Sequence, residues 1–200
     1  MRGGLPVSER RSAAGSGKKR SALAELDSAE KGAVLEELLR SQPALRAAAE
    51  RIAREQLADA EHETVAEEVE SELRSLSSDE LSGRAGRQRW GYVEPTEAAW
   101  ELLEETVGSY ERDVERLLAL GMIGSAVETA LGLIAGLYRC QGCEDVDLLL
   151  SWAPDFPLEQ AGGVVDKLAE ARIEIPPELL ADIAPEWEAS LTNRRKKLSA

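Results

Sequence analysis

The chain contains two cysteines, Cys140 and Cys143, in a Cys-x-x-Cys arrangement. Two thiolates at this spacing can bind a metal ion or can cycle between dithiol and disulfide. A structural zinc site needs about four ligands, and the only histidine, His62, lies far away along the chain, so we expect no zinc site. Redox chemistry is a further hypothesis, because Cys143 precedes a short predicted helix whose N-terminus would lower a thiol pKa, although the acidic residues that follow would raise it. The interpretation that we favour is that both cysteines fill a corner between helices.

A run of glutamates surrounds His62 in the sequence: Glu61, Glu63, Glu67, Glu68, Glu70 and Glu72. Paired carboxylates in a pocket could bind a small molecule or perform acid–base hydrolysis, whereas carboxylates on a solvated helix face do neither. One histidine cannot complete the two-histidine pattern of di-iron bundles. No nucleophile stands beside His62 in the sequence, and we expect this histidine in a solvated loop. We therefore predict no catalytic residue, no metal and no cofactor, and we keep a carboxylate-lined pocket as an alternative function.

The strongest candidate for recognition is the stretch that contains Arg84, Arg87, Arg89, Trp90 and Tyr92. Arginine, tryptophan and tyrosine are the residue types that dominate binding hot spots. A loop with two aromatic rings and three guanidinium groups stands out in an otherwise acidic protein. In the alternative interpretation, the aromatic rings plug the helix stack and the arginines pair with glutamates of the preceding helix. We predict that this stretch binds a protein partner.

These residues must be positioned by helices, because the apolar residues recur at spacings of three and four along most of the chain. A long helix is predicted from Pro95 to Gly121, followed by residues 122–139, which are apolar almost all round and should form the central buried helix. The second segment is at the lower edge of the length that a bilayer requires, and glycines and Glu128 interrupt it, so we expect no membrane span. About eight or nine helices without period-two alternation predict an all-α protein, built as antiparallel helix pairs in a HEAT-like or irregular solenoid or bundle.

The charge is unevenly placed along the chain, whose formal net charge is −14. Residues 1–20 contain six Lys or Arg and one Glu and are predicted to be a disordered basic tail. Residues 21–192 are predicted to form one all-helical domain, and residues 193–200 a basic C-terminal tail. Because the remaining body is strongly acidic and would repel phosphates, direct nucleic-acid binding by the body is not expected. No apolar segment follows the basic N-terminal residues, so we expect no signal peptide and a cytoplasmic protein.

Three segments resemble a family of uncharacterised bacterial all-helical proteins, some of which are similar to regions that accompany SWIM-type zinc-finger proteins. They are residues 91–103, 137–139 and 151–156, which read GYVEPTEAAWELL, LYR and SWAPDF. The resemblance covers about residues 20–170 and implies a HEAT-like helical array. It implies no activity and no catalytic residue, and the SWIM cysteine–histidine pattern is absent here, so no zinc function transfers.

Together these observations favour a non-enzymatic helical module for protein–protein interaction. Its strong negative charge would speed and select encounters with a basic partner. Two other classes remain open: a small-molecule-binding or hydrolytic protein that uses the glutamates of residues 61–72, and a thiol-redox regulator that uses Cys140 and Cys143.

Overall fold

A computed structural model describes residues 21–58, 60–89, 91–141 and 149–198, with side chains as far as Arg194. Within these residues the protein forms ten α-helices and one short β-hairpin, which confirms the predicted all-α class. The predicted tail at residues 1–20 lies outside the described part of the chain. The helices are α1 (Ala22–Glu25), α2 (Ser28–Ser41), α3 (Arg46–Leu57), α4 (His62–Ser75), α5 (Ser78–Arg84), α6 (Pro95–Ala119), α7 (Ile123–Arg139), α8 (Phe156–Glu170), α9 (Pro177–Ile183) and α10 (Glu188–Leu198), and the strands are β1 (Gly86–Gln88) and β2 (Gly91–Val93).

The chain divides into two compact units, residues 1–51 and 52–200. In the described part of the first unit, α2 begins at a capping box, which Asp27 and Glu30 three residues later predict: Asp27 Oδ1 accepts a hydrogen bond from the Glu30 amide at 2.8 Å, and Glu30 Oε2 accepts one from the Asp27 amide at 3.0 Å. A short 3₁₀ turn, Pro43–Leu45, joins α2 to α3. None of the residues of this unit from 21 to 51 is buried.

The second unit packs around α7, which confirms the prediction of a central helix there. α7 lies against α4, α6, α8 and α9. Its residues from Thr129 to Leu137 are all buried, because they are apolar or small on every side. None of the helices in the described part of the chain is long and apolar enough to cross a bilayer.

Helices α4 and α7 approach each other at two glycines of α7. A Cβ atom placed on Gly132 would lie 2.5 Å from Val65 Cβ and 2.6 Å from the His62 carbonyl oxygen. A Cβ on Gly136 would lie 2.7 Å from Val69 Cβ. The two backbones therefore meet at a distance that only glycine permits.

Left-handed residues end two of the long helices. Gly121 follows α6 with φ of 69°, and the Met122 amide donates to the Leu117 carbonyl at 2.9 Å, as in a Schellman motif. Arg172 occupies the same place after α8 with φ of 61°, and the Ile173 amide donates to the Leu168 carbonyl. The sequence predicts the end of α6 from Gly121. The end of α8 uses Arg172, whose Cβ atom disfavours the left-handed conformation.

Three local predictions differ from the structure. The stretch before α6 is a β-hairpin and not an irregular loop. His62 is the first residue of α4 and not a loop residue. Helix α10 continues to Leu198 and so extends into the predicted basic tail of residues 193–200, because arginine and lysine are good helix formers.

Candidate functional site

The hairpin that precedes α6 holds the candidate recognition residues. Strands β1 and β2 pair antiparallel, with Arg87 opposite Tyr92 and Gln88 opposite Gly91. Residues 89 and 90 connect them, and Trp90 lies outside the described residues. Because directly opposed residues project from the same side of a two-stranded sheet, Arg87 and Tyr92 share one face.

Two inward-facing residues attach the hairpin to the bundle. The Gln88 side-chain amide donates to the Arg84 carbonyl at 2.8 Å and lies within reach of the Gly83 and Ala85 carbonyls, which are orphan acceptors at the end of α5. Val93 packs against the hydrophobic core. The hairpin is therefore fixed at one face and solvent-exposed at the other.

Arg84 belongs to this attachment and not to the exposed face. Its two terminal nitrogens bind the two carboxylate oxygens of Glu105 at 2.8 and 2.6 Å. The hydrogen bond with Glu105 raises the pKa of Arg84, and the same bond lowers the pKa of Glu105. An arginine does pair with a glutamate, as the alternative interpretation proposes, but its partner lies on the following helix, α6, and not on a preceding one.

The outward side, which we call the hairpin face, consists of Arg87, Arg89 and Tyr92. Both arginines are exposed, and neither forms an ion pair with another residue that the structure describes. The Tyr92 side chain is largely in solvent, since the residue is 65% exposed. An aromatic ring and two guanidinium groups are thus presented to solvent by a fixed backbone.

Two cavities beside the hairpin and α6 share Glu101 in their lining, and we refer to them together as a groove. One cavity of about 320 Å³ is lined by Gly83, Arg84, Gln88, Val93 and Glu101. A second of about 390 Å³ also uses Glu101, and its lining continues to Glu104, Glu105, Gly108, Glu111, Arg112 and Lys167. Lys167 of α8 forms ion pairs with two glutamates of α6. Its ammonium lies 3.0 Å from Glu111 Oε2 and also pairs with Glu115. We call the α6 side of this groove the acidic groove, since carboxylates dominate its lining.

The glutamates of residues 61–72 do not converge on one pocket. Glu63 binds Arg139 of α7 at 2.7 Å, and this hydrogen bond lowers the pKa of Glu63. Glu70 pairs with Arg74 on its own helix at 3.0 Å. Only Glu61 and Glu68 of this run line a neighbouring cavity of about 290 Å³, which also contains Asp113, Arg116, Thr64 and Thr129.

His62 forms a contact that sequence reasoning missed. Its Nδ1 lies 2.8 Å from Glu128 Oε2, and its backbone amide donates to the same oxygen at 3.2 Å. Glu128 of α7 therefore caps the N-terminus of α4. The one charged residue in the middle of the apolar α7 sequence is the signal that could have suggested an interhelical role.

The structure places only one of the two cysteines. Cys140 is buried at the C-terminal cap of α7, in agreement with a packing role there. Cys143 lies outside the described residues, so a redox pair stays a prediction. Among the residues that the structure describes, no group of three or more His, Cys, Asp or Glu side chains is placed to hold a metal ion.

Comparisons with known proteins do not identify a relative. No protein-family model, no curated protein and no solved structure matches the chain. The resemblance to bacterial helical proteins and to SWIM-associated regions therefore stays a prediction, and functional inference depends on the geometry of this chain.

Proposed function

We propose that this protein is a non-enzymatic, cytoplasmic interaction module of HEAT-like or irregular solenoid build, and that its hairpin face and acidic groove together hold a protein partner. The observation that carries this proposal is the exposed aromatic and cationic face of the hairpin, on a backbone that Gln88 and Val93 attach to the bundle. An exposed ring on a fixed backbone can contribute apolar contact area with little loss of side-chain entropy.

The charges of this surface favour a partner segment of basic character beside the hairpin. Glu101 and Glu104 line the acidic groove. They would attract Lys or Arg side chains of a partner and would speed its encounter with the protein. Arg87 and Arg89, which are exposed on the outward side of the hairpin, could then bind carbonyl or carboxylate groups of the same partner, since guanidinium groups make multiple directed hydrogen bonds.

Site-specific photocrosslinking in the host cell tests the proposal. A photoreactive benzoylphenylalanine in place of Tyr92 should form an adduct with one protein in near-stoichiometric yield. The matched control places the same group at Trp152, another exposed aromatic residue, 47% exposed, at a distant point in the sequence. An adduct specific to position 92 supports the proposal, and identical or absent adducts at the two positions would refute it.

A binding measurement with the captured partner separates the roles of the residues. The double substitution Arg87→Ala and Tyr92→Ala should weaken binding by about 30-fold or more, because hot-spot truncations cost about 2 kcal/mol or more. The control substitution pair Arg172→Gln and Trp152→Ala removes the same kinds of group elsewhere and should leave binding unchanged. Equal loss in both variants would contradict a specific role of the hairpin face.

The two other functions stay predictions with their own tests. The cavity beside α4 contains Glu61 and Glu68 and lies at the lower end of the size range of ligand sites. Ligand binding there would be lost in the variant Glu61→Gln with Glu68→Gln. A redox role would be tested by titrating the thiols of Cys140 and Cys143, and thiols that show ordinary or lower reactivity would count against it.

A further inference from the structure

One of the two cavities of the groove, which we call the hairpin cavity, is bounded by the inward side of the hairpin. Three neighbouring parts of the chain supply its lining: Gly83 and Arg84 of α5, Gln88 and Val93 of the hairpin, and Glu101 of α6. Its volume of about 320 Å³ is at the lower end of the range of ligand sites. The hairpin cavity therefore suits a single side chain better than a large ligand.

The side-chain amide of Gln88 can offer this cavity an acceptor. Its Nε2 faces the carbonyl oxygens of Gly83, Arg84 and Ala85 at 3.4, 2.8 and 3.5 Å. Only the N–H side of an amide can donate to carbonyl oxygens, so these three contacts fix the orientation of the group. The Gln88 Oε1 consequently points away from α5, and it accepts no hydrogen bond from another residue that the structure describes.

The charges of the lining leave one carboxylate without a close partner. The two terminal nitrogens of Arg84 bind the two oxygens of Glu105, so these two charges balance each other. The hydrogen bond with Glu105 raises the pKa of Arg84, and the charge of Glu101 adds to this rise, so Glu101 lies near the guanidinium group. Yet Glu101 forms no hydrogen bond or ion pair with any residue in the described part of the chain. The free polar groups offered to the cavity are thus two acceptors, one charged and one neutral.

A guanidinium group matches this pair of acceptors. It is planar and carries five N–H donors, so it can bind a carboxylate through two parallel hydrogen bonds and still donate to an amide oxygen. The aliphatic stem of an arginine can lie against Val93 and over Gly83, which has no side chain. We propose that the hairpin cavity binds one arginine side chain of the protein partner, with Glu101 and the Gln88 oxygen as its acceptors. The inference rests on the proposed function for the partner, but the cavity itself can be tested without one.

A small arginine derivative is the probe for the cavity. In a nuclear magnetic resonance titration of the isotope-labelled full chain, Nα-acetyl-arginine methylamide should shift the signals of Gln88 and Glu101 with a dissociation constant in the millimolar range. The matching citrulline derivative has the same shape without the charge and should bind about 10-fold more weakly or less. The absence of saturable shifts at tens of millimolar, or equal binding of the two derivatives, would overturn the proposal.

Variants of the protein locate the site. Glu101→Gln keeps the size of the side chain and should weaken binding of the arginine derivative by about 10-fold or more. Gly83→Leu changes no charge and should block binding, because a Cβ atom on Gly83 meets no atom within 4 Å and the longer side chain fills this open space. The control Glu97→Gln removes the same charge one turn earlier on α6 and should bind like the wild type. Equal losses in the two glutamine variants, or unchanged binding by the Gly83 variant, would contradict a defined site.

Two readouts separate this inference from the proposed function. The photocrosslink at position 92 reports the partner, whereas the titration reports the hairpin cavity. A partner adduct on a protein that does not bind the arginine derivative would overturn the cavity site and leave the proposed function intact. Saturable arginine binding that Glu101→Gln abolishes, without any adduct at position 92, would support the cavity site and count against the proposed function.

Discussion

Substitution of Gly132 by alanine should destabilise the protein, although alanine is the better helix former. The new methyl group would lie 2.5 Å from Val65 Cβ and 2.6 Å from the His62 carbonyl oxygen. Neither atom can move aside by a side-chain rotation, since one is a Cβ and the other belongs to the backbone. To make room for the methyl group, α4 and α7 must therefore move apart at the contact around which the second unit packs.

The expected magnitude is the difference of two effects. Overpacking a well-packed core costs about 1 to 3 kcal/mol, and the rigid neighbours of Gly132 favour the upper end of this range. Replacing glycine by alanine inside a helix stabilises the folded state by about 1 kcal/mol through helix propensity. We expect a net loss of about 2 kcal/mol, which for a protein of this size lowers the melting temperature by roughly 4 to 8 °C.

Urea unfolding followed by circular dichroism at 222 nm would measure this loss. The control is Gly163→Ala in α8, where an added Cβ meets no atom within 4 Å. This control should stabilise the protein by about 0.5 to 1 kcal/mol through helix propensity alone. Adding Val65→Ala to the Gly132 variant should not rescue it, because that substitution keeps the obstructing Cβ.

The result that would refute this reasoning is a Gly132→Ala variant that is as stable as Gly163→Ala or more so. It would mean that α4 and α7 do not meet at backbone distance. Rescue by Val65→Ala would also contradict the geometry, since it would locate the strain at the outer methyl groups of the valine.

Three further substitutions should have defined effects. Arg172→Gly should raise the stability by about 1 kcal/mol in a urea titration. A left-handed conformation costs a non-glycine residue about 1 to 2 kcal/mol, and the larger backbone entropy that glycine loses on folding offsets part of the gain. Burial first, then the charge and the hydrogen bond of Glu72, raise the pKa of Tyr110. The contribution of this phenol to stability is therefore complete below its ordinary pKa of 10.0 and is lost as the pH rises through the folded pKa. Tyr110→Phe should reduce the loss of stability at alkaline pH. The hydrogen bond from Arg139 lowers the pKa of Glu63, so the contribution of this carboxylate to stability is present above the ordinary value of 4.5 and is lost as the pH falls through the lowered folded value. Glu63→Gln should destabilise the protein at pH 7, and the difference from wild type should shrink as the pH falls below 4.5.

Each of these expectations has an opposite outcome. A lower urea midpoint for the Arg172 variant would mean that the side chain contributes more than its strained backbone costs. Equal alkaline slopes for wild type and the Tyr110 variant would show that burial does not suppress ionisation of that phenol. A destabilisation by Glu63→Gln that does not shrink at all as the pH falls below 4.5 would assign the effect to packing and not to charge.

Elements with a local pattern could be predicted from the sequence. The central position of α7 follows from its apolar composition, and the start of α2 follows from Asp27 and Glu30 three residues apart. The end of α6 follows from Gly121. In each case the residues that determine the structure stand next to one another in the chain.

Contacts between distant residues could not be predicted in this way. Glu128 caps α4 from 66 residues away, and no pattern near His62 indicates this partner. The hairpin strands have three residues each, too few for periodicity, and their connection lacks the Asn-Gly or Asp-Gly pair that marks many two-residue turns. The partner of Arg84 depends on how α5 lies on α6, which only the packed structure determines.

The order of α4 and α7 along the chain has a consequence for synthesis in the cell. During translation α4 leaves the ribosome first, and its buried residues Val65, Val69 and Leu73 lack most of their docking surface until α7 follows. At the usual rates of 5 to 20 residues per second this delay is on the order of 3 to 13 s. Helix α6, by contrast, is joined to α7 by the tight turn at Gly121, so it can pack against α7 as soon as α7 is made. The nascent chain therefore exposes the apolar side of α4 for seconds before α7 can bury it.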